Sequence, residues 1–350
     1  MERITMSHGA GGILTLQLIK KFMLKHLGGS PFEVPLEALD DAAVVEDWVL
    51  KSDGHTVKPL FFPGGDIGRL AVSGTVNDIA VMGAEPVALA AGIILEEGLP
   101  LKDLERVVAS MGETCREAGV WIITGDTKVV ERGSLGGMVI TTSGIGRRSQ
   151  ALEHNLSVVK RFRPEFKARW LLDSNLKPGD KIIVSGTVGD HGIALLSFRE
   201  GYGFGYELQS DVAPLNKLAL KLLGEVGGIV AMKDPTRGGL SNSLNEWAEK
   251  SKVGILIREE AIPIREGVRA ACEMLGIDPL EVGNEGKLVI GVVPEKAEEV
   301  LEALRSHPQG REAQIIGEAT DSYEGVILET AIGGRRILPP PAGDPIPRIC

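Results

Sequence analysis

Between residues 42 and 145 strand-like and helix-like stretches alternate, and this alternation limits the folds open to the chain more than any other feature. Residues 42–53 carry β-branched and aromatic side chains and read as one strand. Residues 66–84 begin on an acid and place Ile67, Leu70, Ala71, Gly74, Ile79 and Met82 at helical spacing, ending before Pro86. Residues 86–95 are a continuous apolar run, the mark of a buried strand. Residues 101–118 put Leu101, Leu104, Val107, Val108, Met111, Cys115 and Ala118 on one helical face. Strand signals return at 120–124 and 137–145. Helices packed on a sheet follow, an α/β (α+β) domain.

The remainder repeats the theme. Residues 151–170 are basic and irregular (Lys160, Arg161, Arg163, Lys167, Arg169) and read as a solvated connection. A turn at 177–180 leads into strands at 181–185, near Ile255, at 287–293 and at 324–328, with helices at 190–199, 212–223, 240–250, 266–275 and 294–304. With 350 residues, two domains are expected: 1–150 and 151–335, followed by a tail at 336–350. A hydrophobic share of 43% supports ordinary cores. A net charge of −10 with 4% aromatic residues argues against a nucleic-acid partner. No apolar run reaches the ~20 residues a membrane helix needs. Three cysteines make a poor disulfide framework, and Met1-Glu2-Arg3 leads into no signal segment, so a reducing, cytoplasmic location is expected.

The tail contains Pro339, Pro340, Pro341, Pro345 and Pro347 and ends in Cys350. Proline opposes helix and central strand, so the segment reads as a semi-stiff mobile arm, roughly 40 Å in reach at about 3.1 Å per residue. A cysteine at its tip reads either as incidental or as a reactive thiol that must travel.

Acids and glycines gather at the ends of elements. Gly9, Gly11 and Gly12 precede an apolar helical run, a place where backbone N–H groups can meet phosphate. Asp40 and Asp41 open the first strand, Asp53 closes it, and Asp126 follows the strand at 120–124 within Gly125-Asp126-Thr127-Lys128. Asp78, beside Asn77, sits inside an apolar helix. Buried acids need a positive partner, and Mg²⁺, which takes oxygen ligands and phosphate, suits them. Asp234-Pro235-Thr236-Arg237-Gly238-Gly239 is a second glycine turn entering a helix. Glu285, in Gly283-Asn284-Glu285-Gly286-Lys287, reads either as a turn residue or as a carboxylate at an inter-domain cleft. Cys115 and Cys272 read as core residues, and the histidines are not spaced for zinc.

Taken together, Asp40-Asp41, Asn77-Asp78-Ile79-Ala80, Gly125-Asp126-Thr127 and the 234–239 turn resemble the ATP-binding superfamily of aminoimidazole ribonucleotide, formylglycinamidine ribonucleotide and selenophosphate synthetases and thiamine monophosphate kinase. Ser7-His8-Gly9-Ala10-Gly11-Gly12, Ser52-Asp53-Gly54-His55-Thr56, residues 184–193 and the ending Pro347-Arg348-Ile349-Cys350 are similar to one branch of it, the HypE family of [NiFe]-hydrogenase maturation proteins, the carbamoyl dehydratases.

The resemblance implies an N-terminal ATP-binding domain that pairs as a homodimer, with ATP and Mg²⁺ as cofactors. It implies metal ligands at Asp40, Asp41, Asp78, Asp126 and Asp234, and nucleotide contacts at Gly9, Gly11, Gly12, Asp53, Asn77, Thr127, Arg237, Gly238 and Gly239. It also implies a reaction. A carbamoyl group placed on Cys350 by the carbamoyltransferase HypF is dehydrated with ATP to an S-cyanate, and cyanide is passed to iron on a HypC–HypD scaffold. Glu285 would be the base and Lys128 a charge stabiliser. Two other readings remain open: a synthetase or kinase acting on a free small molecule, and a non-catalytic scaffold that responds to ATP.

Overall fold

The computed structural model describes residues 3–202, 207–343 and 345–350. Its first sheet has five strands in the order Ala43–Val45, Trp48–His55, Met138–Arg148, Ala84–Glu96, Trp121–Val130. Only the last two run parallel. Parallel neighbours need a crossover, and the helix Leu101–Ala118 supplies it. The helix Ile67–Val81 lies against the sheet with every residue but Arg69 buried, and the Asp66 side chain caps it by accepting from the N–H groups of Gly68 and Arg69. The second sheet has seven strands in the order Arg335–Ile337, Val326–Glu329, Gly254–Arg258, Gln314–Thr320, Lys181–Val184, Val289–Val292, Ile229–Lys233. The sequence signals did not reveal its strands at 229–233, 314–320 and 335–337.

Three expectations change. The single strand at 42–53 is a hairpin: Ala43–Val45 turns through Glu46, at φ 57°, into Trp48–His55. The stretch taken as a solvated connection holds a helix, Gln150–Phe162, capped by Ser149 and burying Leu152, Leu156 and Val159 beneath the charges. The tail, read as a mobile arm, is seated against the body in this structure. Ile346 and Ile349 are buried, at about 1.5–3 kcal/mol each. Its backbone also pairs with the chain after Trp48–His55: Thr56 N–H donates to the Cys350 carbonyl (3.2 Å) and Lys58 N–H to that of Arg348 (3.2 Å). Nothing in the sequence of the tail announces the tertiary pocket that receives two isoleucines.

The units at 39–148 and 177–329 pack on one another through a continuous core that includes Ile79, Met82, Trp170, Leu218, Leu222 and Ile290. Asn77 pins this contact. Its amide donates to the Ala213 carbonyl (3.1 Å) and accepts from Leu215 N–H (2.7 Å). Asn77→Ala is therefore expected to leave two buried backbone groups unpaired and lower stability by about 2 kcal/mol or more. Calorimetric unfolding checks this, and an unchanged transition would remove Asn77 from the interface account.

Candidate active site

Strand alternation builds one wall of a cavity of about 540 Å³. In Trp48–His55 the side chains of Val49, Lys51, Asp53 and His55 share the inward face, and the last three line the cavity. Asp78 projects into it from the buried helix. Asp41 enters from the loop before Ala43–Val45, and Asp234 from the end of Ile229–Lys233 in the other domain. The carboxylates of Asp41, Asp78 and Asp234 offer oxygens within 4.8 Å of one another.

The electrostatics of this cluster are unresolved by protein groups alone. Burial, then the like charge of Asp41, raises Asp234 to about 7. Burial lifts Asp78 well above the usual carboxylate range although Lys51 stands 2.5 Å away. Burial also raises Asp41, against the pull of Lys233 at 2.7 Å. Three hard-oxygen donors crowded this closely fit a Mg²⁺ site, since a dication would favour the ionised form of all three. Asp53 differs. Burial pushes it up, but Lys51 and His55 outweigh that and hold it low. His55 is neutral, lowered by burial to about 4.

Around the cluster lies a set of buried ions that the sequence did not reveal. Lys233 contacts Asp41, Asp173 (3.1 Å) and Glu246 (3.0 Å), and Lys250 contacts Asp173 (2.6 Å) and Asp40 (3.5 Å). Asp173 also accepts from the Trp247 indole. Asp40 is thereby tied to Lys250 and to the Asp173 N–H, and is pushed to about 6 by burial and Asp173. It lines the cavity outside the three-carboxylate group. Lys51 was discernible, as a lysine two residues from Asp53 on one strand face. Lys233 and Asp173 meet only through tertiary structure.

The opposite wall carries the reactive groups. Gly11, Gly12, Arg237, Glu285 and Cys350 all line the cavity. Gly12 cannot be larger, because a Cβ there would stand 2.0 Å from the Pro341 carbonyl. Gly11, at φ +85°, lies under Arg237. Gly238, at φ +78°, and Gly239, at φ +59°, sit behind this wall and open the helix Gly239–Ser251. Arg237 is held charged chiefly by Cys350. Glu285 is buried with one oxygen that has no hydrogen-bond partner among the described residues, and burial, Asp234 and Asp211 push its pKa well up.

Other residues singled out in the sequence stand elsewhere. Gly9 is exposed and does not line the cavity. Asn77, on a different face of its helix from Asp78, has both ends of its amide committed to the domain contact. Asp126, Thr127 and Lys128 lie on the strand Trp121–Val130, outside the cavity. Asp126 and Lys128 pair with each other at 3.0 Å, both side chains 69% exposed. The physical reason is the sheet order, which places this strand at the edge, three strands from Trp48–His55.

Two domains joined over a cavity of carboxylates define a class. Residues 39–148 match the family described as AIR synthase related protein, N-terminal domain, and residues 177–329 its C-terminal domain. At the level of fold alone, a thiamine monophosphate kinase from Aquifex aeolicus, 18% identical, superposes with a TM-score of 0.62 over 93% of this chain and 99% of its own. Within that class the similarity narrows sharply. The carbamoyl dehydratase HypE of Azotobacter vinelandii is 47% identical over 99% of this chain and 97% of its own, and that of Escherichia coli 42% identical over 100% of both. A putative hydrogenase expression/formation protein of Methanocaldococcus jannaschii is 51% identical over 99% of this chain and 100% of its own. A HypE structure in complex with ATP is 43% identical, covers 99% of this chain and 100% of its own, and has a TM-score of 0.79. A HypE–HypF complex structure is 44% identical, with a TM-score of 0.83 over 93% of this chain and 99% of the other. The chain belongs to the HypE carbamoyl dehydratase family of hydrogenase maturation proteins, and is an enzyme. Among the described residues no helix is long and apolar enough to cross a membrane.

Proposed function

We propose that this chain dehydrates a carbamoyl group carried on the sulfur of its own Cys350, using ATP, and so makes the cyanide ligand for [NiFe]-hydrogenase iron. One observation carries the reading: the terminal cysteine sits in the same cavity as the three-carboxylate cluster, Arg237 and Glu285. A relative solved with ATP supports the nucleotide, and a relative solved with HypF supports a carbamoyltransferase as donor to the thiol. An iron-carrying HypC–HypD complex is the proposed acceptor, and the cytoplasm the proposed location.

The residues divide the work. Asp41, Asp78 and Asp234 would hold Mg²⁺, which supplies charge neutralisation at the triphosphate when bound. Lys51 and Asp53 fix Asp78 in place from the strand. Gly11 and Gly12 let the backbone approach the nucleotide. The carbamoyl oxygen takes the γ-phosphoryl group of ATP and ADP leaves. Nitrogen gives up one of its two protons to solvent as the O-phosphorylated imidate forms, and Glu285 accepts the other as the carbon–oxygen bond breaks, phosphate departs, and sulfur is left bearing C≡N. A carboxylate with a raised pKa is the stronger base when ionised, which is what this step requires. Arg237 stands beside Cys350 to balance the negative charge that develops. The test is the mass of the C-terminal peptide after incubation with the carbamoyltransferase, carbamoyl phosphate and ATP. It should gain a carbamoyl group and then lose one water; a carbamoyl adduct that persists with ATP present would refute the dehydration.

We also propose a homodimer through the edge strand Trp121–Val130. Nine of its ten residues are exposed, among them Trp121, Ile122, Ile123 and Val129, and an apolar unpaired edge seeks a partner. Asp126, Thr127 and Lys128 lie on that edge, outside the carboxylate cavity of their own chain, so pairing of two chains is the route by which they would reach such a cavity. A dimer mass in light scattering is expected at micromolar protein, and Ile123→Lys should return it to monomer. A wild-type monomer at that concentration would end the proposal.

A further inference from the structure

The His191 ring is wholly buried, edge-on to Phe62 at 5.5 Å and 86°. Its Nδ1 lies 2.7 Å from the Ser210 hydroxyl, and its Nε2 lies 2.8 Å from the carbonyl oxygen of Ile349, one residue before the terminal cysteine. The tautomer follows from these partners. Ser210 Oγ already accepts the N–H of Val212 (3.1 Å), which turns its own hydrogen toward Nδ1. The imidazole hydrogen is then on Nε2, facing a carbonyl that can only accept. Burial lowers the ring's pKa and keeps it neutral in this role.

We propose that His191, oriented by Ser210, positions the C-terminal tail for the reaction: its Nε2–H holds the Ile349 carbonyl and so sets where the Cys350 thiol stands in the cavity. The inference rests on the dehydration reading for its purpose, though not for its geometry. Thr56 (3.4 Å to Cys350) and Arg199 (2.7 Å to Pro347) also bond the backbone of the tail, and both are less buried than His191. Swinging the tail out would give up this hydrogen bond, and water would then have to replace the carbonyl at Nε2. The ring therefore biases the tail toward the seated state. The same loop registers the thiol against the base. Asp211, next to Ser210, accepts the backbone N–H of Glu285 (3.0 Å) and the Lys287 ammonium (3.0 Å). One dipeptide thus orients both the ring that seats the tail and the residue proposed to take the proton.

The test is labelling of Cys350 in the full-length protein by a maleimide-linked polyethylene glycol too bulky for the cavity, with neither ATP nor carbamoyl donor present. The reagent reads the unseated tail. His191→Ala should label about tenfold faster, the scale of one buried hydrogen bond. His191→Gln, whose amide can donate from the Nε2 position, should label at close to the wild-type rate. Equal rates for wild type and His191→Ala would overturn the proposal, as would a Gln variant that behaves like Ala. Should His191→Ala fail to fold, Ser210→Ala decides: an intermediate rise supports the proposal and an unchanged rate overturns it. With preloaded carbamoyl-Cys350, single-turnover dehydration in His191→Ala should slow while half-saturation by ATP holds; a slower step with a proportionate rise in the ATP concentration needed would mark a merely structural role and overturn the proposal. Failure of the wild type to dehydrate at all would sink the reaction reading and leave the labelling result standing.

Discussion

Cys350→Ala is expected to abolish cyanide formation while leaving the protein folded and able to bind ATP. The Cys350 side chain is half-buried, so losing one sulfur costs about 1 kcal/mol or less. The chemistry has no substitute thiol. Cys115 and Cys272 are buried, and burial raises both pKa values, that of Cys272 to about 12, so neither supplies thiolate near neutral pH. Their serine variants should lower stability and keep activity. The seated tail separates this substitution from a truncation. Removing residues 346–350 discards two buried isoleucines as well as the thiol, so truncation should lower the unfolding temperature where Cys350→Ala does not. Product is read as the mass of the C-terminal peptide and ATP binding by calorimetry. Cyanide formed by Cys350→Ala, or lost in Cys115→Ser with the fold intact, would make the tail a docking arm and nothing more.

What the sequence disclosed and what it hid divide along one line, the range of the interactions. The helix Leu101–Ala118 was plain because its apolar residues repeat within the helix itself. Asp78 stood out because an acid amid Ile79, Ala80 and Val81 has no local excuse. The helix Gln150–Phe162 was hidden because Lys160, Arg161 and Arg163 mask Leu152, Leu156 and Val159, although Ser149 was there as a cap. Lys233 and Asp41, which touch at 2.7 Å, are far apart in the chain, so nothing nearby announces either as half of a pair. Asn77 and Asp78 are neighbours with opposite duties, one binding the second domain and the other facing the cavity, because successive helical residues point about 100° apart. The edge position of Asp126 and Lys128 is a property of strand order, which no local pattern encodes.

Glu285→Gln should retain ATP binding and lose about 10²–10⁴-fold in dehydration rate, the usual worth of a positioned base. Gln keeps the size of the side chain, so its Asp211-anchored backbone should stay in place. The wild-type rate should rise with pH through the raised pKa of Glu285, because the base works only once its proton is gone; the residual rate of the variant should lack that limb. Stability should move the other way. A carboxyl whose folded pKa lies above its unfolded value binds more protons when folded, so stability falls as pH rises between those two values. Near neutral pH, without nucleotide or metal, wild type therefore carries a penalty that Gln removes. The variant should unfold at an equal or higher temperature there and lose the advantage below the ordinary glutamate range, near pH 4. A variant that is slower and also less stable at neutral pH would show Glu285 to be an anchor for the fold. One that is slower yet more stable has the signature of a base whose burial the protein maintains at the expense of its own stability.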